Sequence, residues 1–113
     1  MWSKVCDLSG VPPGSLSEHT VDGVPVLVVR GATRTLVVPR SCPHMSAPLC
    51  EGVFDGHTLT CTKHLWQWSV DEGGSPVGEA EEGLLCYPTR DGADGSLQAD
   101  VSTVLRYGHE LDG

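Results

Sequence analysis

Two thiols and two imidazoles stand close together in the middle of the chain. Cys42-Pro43-His44 is followed, after sixteen residues, by Cys61-Thr62-Lys63-His64. Each half offers one cysteine and one histidine, and each follows a short run suited to a strand. Three chemistries fit. A structural zinc site accepts two cysteines and two histidines in a tetrahedron. A bridged pair of irons takes thiolates on one iron and imidazoles on the other. The third reading is no metal at all, and chance rarely places Cys beside His twice within so short a stretch. Zinc modules usually group like with like, Cys with Cys and His with His. Mixing the two types in each half suits a two-iron centre, because each loop can then reach both irons.

The resemblance that follows from these residues is to the Rieske signature, C-x-H followed by C-x-x-H. It extends along the chain. Val21-Asp-Gly-Val-Pro-Val-Leu-Val-Val-Arg resembles the family's early hairpin. Pro48-Leu49, Glu51-Gly52 and Leu59-Thr60 resemble the segment between the two loops, and Tyr87-Pro88 the strand after the third. The resemblance implies one [2Fe–2S] cluster, with Cys42 and Cys61 on the inner iron and His44 and His64 on the outer. It also implies an all-β Rieske fold: an antiparallel β-sandwich base, residues 1–40 and 89–113, with an inserted small β lobe, 41–88, that binds the cluster. Neutral imidazoles in place of two thiolates remove two negative charges, which makes adding an electron easier.

Other features narrow the type. High-potential respiratory members resemble C-T-H-L-G-C and C-P-C-H-G-S, with an extra cysteine in each loop; Ala47 and Lys63 stand in those positions here, and Leu65 and Trp66 follow the second histidine. Fewer hydrogen bonds to the sulfurs imply the lower part of the roughly −150 to +300 mV range. His64-Leu65-Trp66, with Trp68 close behind, resembles ferredoxins of toluene-monooxygenase-type systems. Such a likeness implies an electron carrier rather than an enzyme, filled by a flavin-containing NAD(P)H reductase and drained by a terminal oxygenase. Docking is expected at the His44/His64 tip, bordered by acids such as Glu51, Asp55 and Asp71. Cys42-Pro-His-Met-Ser-Ala-Pro-Leu also resembles small Rieske subunits of nitrite reductase complexes, which is the second reading. From another class, a structural zinc module without redox function remains, and colour separates it from the iron readings.

The elements that must position these residues are short. The 113 residues fit one domain. Fourteen glycines and eight prolines favour turns and strands over long helices. Asp22-Gly23 and Asp55-Gly56 are hairpin signals. Strands are expected at 19–21, 24–30, 35–38, 57–60, 65–70 and 97–101, with a solvated loop over 71–83 and core again at 84–87. Ala80 to Leu85 is long enough for one helical turn.

Seven basic residues against fifteen acidic ones give a formal charge of −8. That disfavours nucleic acid and anionic membranes and favours a basic protein surface. No apolar run approaches the length of a membrane span, and no leader pattern opens the sequence, so cytoplasmic residence is expected. A carrier that shows its cluster to two proteins in turn is expected to be monomeric. Cys6, Cys50 and Cys86 are expected as ordinary buried thiols. For His19, His57 and His109 the bland reading, a hydrogen-bonded or exposed side chain, outweighs any catalytic one.

Overall fold

The computed structural model describes residues 2–40, 52–61, 66–78 and 83–105. Its strands, in chain order, are β1 (Ser3–Asp7), β2 (Ser15–Val21), β3 (Val24–Arg30), β4 (Thr35–Pro39), β5 (Val53–Phe54), β6 (Thr58–Thr60), β7 (Gln67–Ser69), β8 (Ser75–Val77), β9 (Thr89–Asp91) and β10 (Ser96–Ala99). A single 3₁₀ turn, Leu8–Gly10, follows β1. All described pairings are antiparallel. They build three sheets, ordered β1-β10-β9, β2-β3-β4 and β5-β6-β7-β8.

The β2-β3-β4 meander is the middle layer. Successive side chains on a strand point to opposite faces, and here both faces are covered. From β3 and β4, Val26, Val28 and Val37 pack with Leu97, Ala99, Val101 and Tyr87. Leu27, Val29, Leu36 and Val38 face the other way, onto Leu59, Trp68, Val70 and Leu84. Double burial explains why Val24–Arg30 reads as an unbroken apolar run rather than an alternation. The β2–β3 turn has φ 51° at Asp22 and 80° at Gly23. Positive φ at both central residues is the type I′ geometry that matches strand twist, and it is what Asp-Gly supplies.

The expected all-β architecture is what the structure shows, with differences at the edges. β2 begins four residues earlier than expected. β1, β5, β8 and β9 are not among the expected strands. β8 lies inside the anticipated loop 71–83, with Pro76 opposite Trp68 on an outer strand, where a missing N–H does no harm. Two consecutive glycines turn the chain into it, Gly73 at φ 78° and Gly74 at φ 90°. A side chain on Gly74 would put its Cβ 2.8 Å from Cβ of Leu84. This close approach lets the Gly74 carbonyl accept the Leu84 N–H at 2.9 Å. Leu84 thereby enters the core, as expected, without joining a strand. Of the anticipated helical turn at 80–85, residues 80–82 lie outside the described residues and 83–85 are not helical.

Candidate metal centre

Cys61 follows the last residue of β6. Its backbone N–H donates to the Trp66 carbonyl at 2.8 Å, which carries the β6–β7 pairing one step beyond Thr60 and Gln67. The β6–β7 ladder, Thr58 to Thr60 against Ser69 to Gln67, therefore sets where Cys61 sits. The Cys61 side chain is only 5% exposed and sits in the cluster with Val38, Leu59, Trp68 and Leu84. Trp66 is half-buried against that cluster and meets Trp68 edge to face, with centroids 6.5 Å apart and planes at 66°. Trp68 is fully buried. Two aromatic rings thus brace the strand that leaves the loop.

Cys42, His44 and His64 lie outside the described residues. Chain geometry still limits where the first of them starts. Val38 shares the buried cluster with Cys61, and Cys42 comes four residues later, within about 14 Å of it along the chain. A [2Fe–2S] group fits the described part of this site. A buried thiolate amid apolar side chains would be an uncompensated charge, and a ligated iron supplies the compensation.

The other described cysteines differ. Burial pushes the Cys6 thiol up, and the carboxylate of Asp7 adds to this. Burial likewise raises Cys86, whose Sγ–H reaches the Gly73 carbonyl at 3.4 Å. Both are half-buried, unbridged and disfavoured as thiolates. Cys50 and His109 lie outside the described residues. Ser17 holds the His19 ring at 2.7 Å.

Asp55 and Asp71 are placed differently from the expectation that they border the tip. They sit at the end of the β6–β7 ladder away from Cys61, beyond Thr58 and Ser69, with Thr58 itself about 10 Å from Cys61 by strand rise. The Asp55 carboxylate accepts the N–H groups of Thr58 at 2.7 Å and His57 at 2.9 Å. Asp71 accepts the Thr33 hydroxyl at 2.6 Å and contacts His57 Nδ1 at 2.7 Å. The Thr58 N–H, then that of His57, holds Asp55 below the ordinary carboxylate value of 3.8. For Asp71 the Thr33 hydroxyl acts first and His57 second, in the same direction. A carboxylate with a lowered folded-state value contributes its stability in full above the unfolded value and loses it as pH falls through the folded one. Replacing Asp71 by Asn should therefore lower the melting temperature at neutral pH. The gap to the wild type should narrow as pH falls below the ordinary carboxylate value of 3.8, as thermal melts across pH would show.

A model of the Rieske [2Fe-2S] domain matches residues 1–88. The ferredoxin subunit of methanesulfonate monooxygenase from Methylosulfonomonas methylovora is 36% identical over 110 residues, covering 96% of this chain and 88% of that one. The ferredoxin component of the alkene monooxygenase system from Xanthobacter autotrophicus is 32% identical, covering 79% of this chain and 73% of its own. A solved chain from a complex of reduced oxygenase and oxidised ferredoxin in carbazole 1,9a-dioxygenase superposes with a TM-score of 0.75 at 25% identity, covering 93% of this chain and 97% of that one. The chain belongs to the Rieske [2Fe–2S] family. Within that family it is a ferredoxin, an electron carrier with one Rieske cluster. Among the described residues no helix is long and apolar enough to cross a membrane.

Proposed function

We propose that this chain shuttles single electrons from a flavin-containing NAD(P)H reductase to a terminal oxygenase of the monooxygenase type. Cys42 and Cys61 hold the inner iron, and His44 and His64 hold the outer one. The cluster supplies reversible one-electron chemistry; the protein positions it and lets partners approach. The observation that carries the reading is Cys61, a buried thiol held beside Trp66 at the end of the β6–β7 ladder and followed closely in the sequence by His64. Identity to two monooxygenase ferredoxins over most of their length supports an oxygenase over a nitrite reductase as acceptor.

The chain works as a monomeric, cytoplasmic, single-domain carrier, base 1–40 and 89–113 with lobe 41–88, and docks each partner in turn through the His44/His64 tip. With Asp55 and Asp71 engaged at the far end of the lobe, specificity at the tip rests on other side chains. Weak docking suits a carrier that must leave after each transfer.

Purified anaerobically, the protein should be red-brown, carry two irons and bleach on reduction. Its potential should fall in the lower part of the roughly −150 to +300 mV range. It should also accelerate electron flow from a flavin reductase to a monooxygenase hydroxylase more than to a nitrite reductase. A colourless zinc protein would overturn the cluster assignment. A potential in the upper half of the range would overturn the low-potential reading alone.

A further inference from the structure

Arg40 is the last described residue before Cys42, and its guanidinium does not point to solvent as a free charge. It reaches back across β3 to β2. Nη2 donates to the His19 carbonyl at 2.7 Å and to Thr20 Oγ1 at 3.2 Å. Nε lies 3.3 Å from a carboxylate oxygen of Glu18 and makes a longer 3.5 Å contact to the Val26 carbonyl. The side chain is 33% exposed. Val26 pairs with Pro39, the end of the β4 ladder, so Arg40 extends the hold on the chain one residue beyond the last strand pairing. Cys42 is two residues further on, within about 7 Å of chain.

We propose that Arg40 is a positioning residue for the cluster: its fork to β2 and β3 pins the root of the first ligand loop and so fixes where Cys42 starts. This rests on the ligand assignment above. Planar, multi-donor geometry matters here as much as charge. A lysine ammonium keeps the charge but cannot hold the His19 carbonyl, Thr20 and Glu18 in one rigid fork. Groups that orient metal ligands through the protein usually change metal retention when removed.

Arg30 is the internal control. It sits at the opposite end of β3, opposite Thr35, and its Nη1 donates to the Leu8 and Val11 carbonyls. It therefore does the same kind of structural work away from the ligand loops.

The experiment follows the bleaching of the visible cluster absorption in excess chelator, together with the EPR line shape of the reduced cluster. The wild-type spectrum comes first and decides the [2Fe–2S] assignment independently. Arg40→Gln and Arg40→Lys should each lose iron about tenfold faster than wild type and broaden the EPR signal. Arg30→Gln should lower the melting temperature but keep wild-type bleaching and line shape. If Arg40→Lys behaves as wild type, or Arg30→Gln bleaches as fast as the Arg40 variants, positioning by Arg40 is refuted. Should the Arg40 variants fail to fold, the exposed double change Glu18→Ala, Thr20→Val removes two of its partners and carries the test. Faster bleaching then supports the proposal, and an unchanged rate refutes it.

Discussion

Replacing Cys61 by alanine is expected to leave a folded but colourless protein. Iron content should drop from two per chain to background, and the EPR signal of the reduced protein should vanish. Cys61 sits in an apolar cluster, so a methyl group loses little there. The bond that closes its hairpin runs from the backbone N–H to the Trp66 carbonyl and survives the change. What the substitution removes is the thiolate, and no neighbour on the same strand can replace it. The β-sheet signal in circular dichroism should persist. The melting temperature should fall, because metal binding to a folded site adds to folding free energy. Cys86→Ala serves as the contrast: its thiol bonds to backbone carbonyls and its loss should leave the cluster in place. Full iron occupancy in the Cys61 variant would remove the centre from this hairpin altogether.

Trp68→Ala should produce the largest loss of stability from any single side chain in the lobe. The indole is fully buried, it lies in the cluster joining the lobe sheet to the central meander, and Leu59 and Pro76 stand opposite it on the two flanking strands. Truncating a buried tryptophan costs about 3–5 kcal/mol, a large share of the roughly 5–15 kcal/mol by which domains are stable at all. For a chain of this size that is a fall of roughly 12–25 °C in melting temperature. Half-buried Trp66 should cost less. Denaturant melts of both variants give the comparison. A loss under about 1 kcal/mol for Trp68 would show that the lobe does not depend on this contact.

The centre of the fold was legible and its edges were not, for one physical reason. Val24–Arg30 and Thr35–Pro39 are buried on both faces, so burial writes itself into the residues as an apolar run. The Asp22-Gly23 turn declares itself by its need for positive φ. β1, β8 and β9 are outer strands. β9 is exposed at all three positions, β8 contains a proline, and β1 shifts register between Lys4 and Cys6. With little to bury, such segments carry no pattern. The spacing of the cysteine–histidine pairs is plain in the sequence, whereas the burial of Cys61 among apolar side chains is not. The fork of Arg40 was not legible either, since nothing in the sequence distinguishes an arginine that folds back on its own sheet from one that faces water. Nor did it show that the Asp55 and Asp71 carboxylates are occupied by turn N–H groups and a threonine hydroxyl.

The pairing of Ser3 with Ala99 has a consequence for how the chain is made. The β2-β3-β4 meander is contiguous in sequence, so its ribbons can zip up locally while the chain is still leaving the ribosome. β1 precedes the meander, yet its strand partner among the described residues, β10, comes after every other described strand. β1 therefore stays unpaired with that partner until β10 has been made, and the layer that backs the meander closes only after the meander itself is complete.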